Sequence, residues 1–110
     1  MESVLENNIE VIKISGNYIS DLDHKALIEK VDESINNGTH NFVIDMEGIN
    51  FINSSGLSVL IRVLTKARTK GGEAVLSSIP SKVNELLVMT KLNNVFKSFT
   101  TDQEAVASLS

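Results

Sequence analysis

The chain has no cysteine, so neither a disulfide framework nor a thiolate metal site is open to it. That absence suits a reducing cytoplasm. It also lacks long hydrophobic runs. No window approaches the roughly 18 uninterrupted apolar residues that a membrane span needs. The opening segment, Met1-Glu2-Ser3-Val4-Leu5-Glu6, is acidic and has no long apolar run, which does not read as a signal peptide. Positive charge is scarce too: the formal net charge is −4. A mildly acidic chain is a poor nucleic-acid binder unless its cations cluster. They do so only at Arg62, Lys66, Arg68 and Lys70, which reads as the dipole-complementing end of a helix. There is no Gly-rich loop ending in Lys-Ser/Thr and no Gly-x-Ser-x-Gly elbow. The two histidines, His24 and His40, lack the spacing that acyl transfer would need with a serine. Asp23 and His24 put two potential ligands on one turn, with no third to complete a metal site. No catalytic residue, cofactor or metal is therefore expected.

What is present is a chain of 110 residues, 42% apolar, long enough for one domain with its own core. Residues 8–15 are rich in β-branched types and read as a strand. Gly16-Asn17 is a turn signal, with Tyr18-Ile19 as a short second strand of a hairpin. Ser20-Asp21-Leu22-Asp23 looks like a helix start, Leu27, Ile28, Val31 and Ile35 give the buried stripe, and Asn36-Asn37-Gly38 ends it. The apolar run of residues 41–46 suggests a central strand, joined to the first by a parallel crossover. Glu47-Gly48-Ile49-Asn50 reads as a loop.

The centre of the chain follows. Asn53-Ser54-Ser55-Gly56 forms a polar knot at the head of an apolar helix whose face is Leu57, Leu60, Ile61 and Leu64. Asn and Ser accept hydrogen bonds from the unpaired N–H groups of a first turn. The same N–H groups, with the positive dipole end, also suit an added phosphate. A capping role and an anion-receiving role both fit the serines. Val59 and Val63, with Ser58 and Arg62 near them, form a second side of the helix: either the flank of a wide buried stripe or a contact surface.

Thr69-Lys70-Gly71-Gly72 closes that helix, and residues 73–78 read as another strand. Ile79-Pro80-Ser81 opens a third helix that buries Val83, Leu86 and Leu87, and Asn93-Asn94 breaks it. Residues 95–99 are a short strand. Thr100-Thr101-Asp102 caps a last helix with Ala105, Val106 and Leu109 as contacts. Strands alternating with helices argue for an α/β sheet.

The run Asn41-Phe42-Val43-Ile44-Asp45-Met46, then Phe51-Ile52-Asn53-Ser54-Ser55-Gly56-Leu57, with Gly71-Gly72-Glu73 after the helix, resembles the bacterial anti-sigma factor antagonists. Their fold is the STAS domain (sulphate transporter and anti-sigma factor antagonist). The resemblance covers nearly the whole chain. It implies a mixed, mainly parallel sheet of four to five strands with about four helices. It also implies a cytoplasmic binding module that, unmodified, holds an anti-sigma factor and frees a sigma factor. The partner, itself a serine kinase, phosphorylates the first serine of the pair, Ser54 here, and a serine phosphatase resets the switch. The partner surface would draw on Asp21, Asp23, Asn53, Ser54, Ser55, Gly56, Leu57, Ser58, Val59, Arg62 and Val63. The family carries an acid near the phosphorylated serine, and Ser20, Asp21 or Asp23 would stand at its position here. Asn53 stands where the family usually has an acid. Single STAS domains also resemble accessory subunits of lipid-transport ABC complexes, which need no phosphoserine.

Overall fold

A computed structural model describes residues 1–18 and 21–110, without the side chains at 17, 18, 21 and 22. In chain order the elements are β1 (Glu2–Glu6), β2 (Ile9–Tyr18), α1 (Asp21–Asn36), β3 (Asn41–Ile52), α2 (Ser54–Thr69), β4 (Glu73–Ser77) and α3 (Ser81–Met89). A single 3-10 turn (Leu92–Asn94), β5 (Ser98–Phe99) and α4 (Asp102–Leu109) complete it. The strands form one sheet in the order β1-β2-β3-β4-β5. Only β1 runs antiparallel to its neighbour. This is the mixed, mainly parallel α/β architecture that the alternation of elements implies.

Side-chain alternation sends the two strand faces to different helices. Ile12, Ile14, Phe42, Ile44, Met46, Ala74 and Leu76 join the buried faces of α1, α2 and α3 in the larger core. Ile9, Val11, Val43 and Val75 point the other way and are covered by Ala105 and Val106 of α4.

Two loop expectations give way to longer strands. The hairpin is not at Gly16-Asn17. It joins β1 to β2 through Asn7 and Asn8, whose φ values are 53° and 60°. Positive φ at both central residues is what a two-residue hairpin turn needs, and Asn tolerates it well. Residues 47–50 are not a loop either, since β3 runs unbroken to Ile52. The register with β2 slips between Lys13 and Ser15 and again between Gly16 and Asn17, each time with an extra residue on β3. The glycines that resemble turn signals serve these bulges. Gly16 takes φ +79°, and a Cβ on Gly48 would lie 2.9 Å from the Ser15 Cβ. The proposed short strand at Ile19 and the helix-start role of Ser20 lie outside the described residues.

Gly38 ends α1 with φ +92°. At the end of α2, Gly71 takes φ +82° and the Gly72 amide donates to the Ala67 carbonyl at 2.9 Å. The ends of α2 and α1 are also joined by an ion pair, Lys66 to Asp32 at 3.0 Å.

Candidate functional site at the start of α2

Strand β3 delivers the chain to Asn53, which leaves the sheet with extended backbone and caps α2. Its Oδ1 accepts from the Gly56 N–H at 2.8 Å, and its carbonyl accepts from Leu57 N–H at 3.0 Å. Capping therefore falls to Asn53 alone. Ser54 and Ser55 are the first two residues of the helix proper. Both are exposed, and neither hydroxyl has a hydrogen-bond partner among the described residues. Ser58, one turn on, donates to the Ser54 carbonyl at 3.1 Å. No acid sits in the first turn of α2, while Lys66 and Arg68 occupy the last. The helix dipole thus presents its positive end at Ser54 with no carboxylate on α2's own first turn to offset it.

The apolar sector of α2 is wider than its sequence face and turned relative to it. Val59 is 4% and Val63 0% exposed, whereas Ile61 is 36% exposed. Gly56 and Leu57 are also buried. The helix packs on the sheet with one side and against α1 with another, so the buried arc turns by roughly 70° toward Val59 and Val63. Those two valines, with Gly56 and Leu57, belong to the core, which corrects their place in a partner surface. The accessible members of the set are Ser54, Ser55, Ser58 and Arg62, with Asn53 and Asp23 half-buried. The Asp21 side chain lies outside the described residues.

Two open clefts lie near the start of α2, and the first takes in Ser55. One runs between α1 and α2, lined by His24, Lys25 and Ile28 on one side and by Ser55, Ser58 and Arg62 on the other. Lys25 pairs at long range with Glu29 (3.9 Å), but Arg62 makes no ion pair among the described residues. The other cleft lies between the end of β3 and α3, where Phe51 is 55% and Met89 80% exposed. Phe51 and Met89 line one cleft together, and an exposed apolar pair of that kind fits a contact surface. The sequence gives neither a contact role: Phe51 enters there only as part of the family-like run before the serines, and the helix pattern places no face on Met89. Among the described residues, no group of three or more His, Cys, Asp or Glu is placed to hold a metal ion. No helix there is long and apolar enough to cross a membrane.

The sequence profile of the STAS domain matches residues 2–105. The chain belongs to the STAS domain family. A Thermotoga maritima protein provisionally named an anti-sigma factor antagonist is 26% identical over 99 residues, 88% of each chain. The crystal structure of an anti-sigma factor antagonist from that organism, named with the same reserve, superposes with a TM-score of 0.88 at 19% identity, over 98% of this chain and 92% of the other. The Bacillus cell fate determinant SpoIIAA, solved in its phosphorylated form, superposes with a TM-score of 0.76 at 15% identity, over 99% and 98%. These superpositions place the STAS fold on the whole of β1 to α4.

Proposed function

We propose that this STAS protein is an anti-sigma factor antagonist switched by phosphorylation of Ser54. Unmodified, it binds an anti-sigma factor that is itself a serine kinase, through the exposed start of α2 and the clefts beside it, and a sigma factor is freed. The kinase transfers the γ-phosphoryl group of its own ATP to the Ser54 hydroxyl and leaves ADP, and the complex parts. A serine phosphatase returns the hydroxyl. The chain is substrate and ligand in this cycle and performs no catalysis.

One observation carries the reading. Asn53 takes the capping bond, so the Ser54 hydroxyl stands exposed and unengaged at the first position of a 16-residue helix. A serine needed for the cap could not be modified without loosening the helix. This one can be. Phosphate adds roughly −1.5 to −2 charges, which the helix N-terminus tolerates within the free protein. In a packed interface the same group must be desolvated, and a penalty of about 3–4 kcal/mol weakens binding by two to three powers of ten. The names of the relatives point to the same class of role.

Mass spectrometry of the protein taken from its own cells tests the reading, together with capture experiments using Ser54→Ala and Ser54→Asp. Phosphate is expected on the Ser54 peptide and absent from Ser54→Ala but not from Ser55→Ala. Capture of an ATP-binding kinase is expected with the Ala form and not with the Asp form. A peptide unmodified under every growth condition, or equal capture by both forms, would refute the switch.

A further inference from the structure

On the face of the sheet away from Ser54, a polar row crosses three strands. Lys13 of β2, Asp45 of β3 and Ser77 of β4 are in register and point toward α4. Asp45 is 4% exposed and Ser77 fully buried. The Ser77 hydroxyl donates to Asp102 Oδ1 at 2.6 Å, and Asp102 is the first residue of α4. Asp45 Oδ1 accepts from the Glu47 N–H at 2.9 Å. Because Asp45 and Ser77 are register partners, the Asp102 carboxyl held by Ser77 comes beside that of Asp45. A hydrogen bond between two carboxyl groups requires a proton on one of them. Two ionised carboxylates side by side repel instead.

We propose that the Asp45–Asp102 pair holds one shared proton and acts as an acid-tightened latch on the first turn of α4. The proton sits on Asp45. Asp45 is buried among strands, whereas the Asp102 carboxyl has the N-terminus of α4 and the Ser77 hydroxyl beside it. Burial, then the bond to Asp102 and its charge, push the Asp45 carboxyl up from 3.8 to about 6, against the opposing pull of the Glu47 amide and Lys13. The other charged groups nearby are exposed. Glu2 and Glu47 line the open cleft at Lys13 and Asp45, and Glu104 lies in the first turn of α4. That cleft admits water to the edge of the pair, so the proton can exchange.

Losing the proton leaves two like charges facing across the joint between β3 and α4. The apolar hold on α4 is small: Ala105 and Val106 are its buried residues, with Phe99 and Leu109 beside them. Above the transition α4 loosens over Ile9, Val11, Val43 and Val75, while α1, α2 and α3 stay packed on the opposite face.

Hydrogen exchange of the backbone amides, corrected for intrinsic pH dependence, tests this on the whole protein between pH 5 and 7.5, alongside a carbon NMR titration of the Asp45 carboxyl. Protection at Ala105 and Val106 is expected to fall about tenfold or more across the range, tracking the Asp45 titration, with α2 unchanged. Asp45→Asn keeps a donor toward Asp102 and should hold α4 at its low-pH protection throughout. The latch is overturned if Asp45 titrates below about pH 5, if α4 protection is flat in the wild type, or if the Asn variant shows the same fall as the wild type. Should that variant fail to fold, the wild-type titration and exchange profile decide the matter alone.

Discussion

Asn53 caps α2 with an uncharged side chain, and its geometry makes the consequence of changing it calculable. The Oδ1 bond to Gly56 N–H, 2.8 Å long, satisfies a donor on a buried residue. Asn53→Ala removes the acceptor and leaves that N–H without a partner, at a cost of about 1 kcal/mol, within a range of roughly 0.5–2. For a chain of this size each kcal/mol moves the Tm by about 4 °C. Asn53→Asp keeps an acceptor at the same place and adds a charge at the positive end of α2, whose first turn holds no acid. It should stabilise by about 0.3–1 kcal/mol at low ionic strength. That gain is electrostatic and should vanish near 1 M salt, where the screening length is about 3 Å, whereas the loss in the Ala variant should persist. Thermal and urea unfolding of the three proteins at low and high salt reads both effects. An Ala variant as stable as wild type would show that the cap bond contributes nothing. An Asp variant less stable than wild type would show that the position faces another carboxylate, with Asp23 the first to examine. The series bears on the switch as well. With a neutral Asn at the cap, a phosphate on Ser54 has the helix N-terminus to itself. With Asp there, the phosphate would meet a like charge one residue away.

Gly72→Ala should be among the most damaging small substitutions, because its Cβ would lie 1.9 Å from the His40 carbonyl oxygen. A loss of about 3 kcal/mol or more is expected in urea unfolding, and a loss below 1 would refute the close approach. Val63→Ala removes two methyl groups from a fully buried site and should cost about 2 kcal/mol, while Arg62→Ala stays within about 0.5. Partner affinity should then follow Arg62 and not Val63, once folding is corrected for. Asp45→Asn tests the sign of a buried acid. A carboxyl raised from 3.8 to about 6 on folding binds its proton more tightly in the native state. The wild type is therefore favoured below about pH 4, loses that contribution as pH rises to about 6, and is flat above it. The variant should be neutral at pH 4 and more stable than wild type by about 2–3 kcal/mol at pH 7.5. Parallel urea midpoints at the two pH values would refute it.

The alternation of elements, the Asn-Gly stop of α1, the Asn53 helix start and the Thr101 cap of α4 were legible because each rests on contacts within four residues. Thr101 Oγ1, for instance, accepts from the Glu104 N–H at 3.2 Å. Features set by distant partners were not. Glycine at 16 and 48 has the same composition in a turn and in a bulge, and only the pairing of β2 with β3 separates them. The first strand went unread because all five of its residues are exposed and show no alternation of burial. The buried arc of α2 was misjudged since a helix flanked by both sheet and helix buries more than one stripe. Asp45 read as an ordinary strand polar residue, and its partner lies 57 positions away at Asp102.

The parallel connections impose one more consequence. Each of α1 to α4 follows a strand of the parallel set, so their N-termini gather at the carboxyl edge of the sheet, where positive dipole ends and polar side chains collect. Ser54 and the Asp45–Asp102 pair are both products of that edge, but they face opposite sides of the sheet. Strand β3 links them: it holds Asp45 and ends at Ile52, two residues before Ser54, so the two sites are nine residues apart, at most roughly 30 Å of chain. Bulges interrupt its pairing with β2 between them. The direct field of a charge change at one site is largely screened over that distance from the other. Ser54→Asp and Asp45→Asn should be additive in unfolding free energy within about 0.5 kcal/mol, and Ser54→Asp should leave the exchange of α4 unchanged. A coupling above about 1 kcal/mol would mean that β3 moves as a rigid rod through its bulges. The phosphate and the proton would then act on one conformational equilibrium, and the helix that closes the far face would take part in releasing the partner.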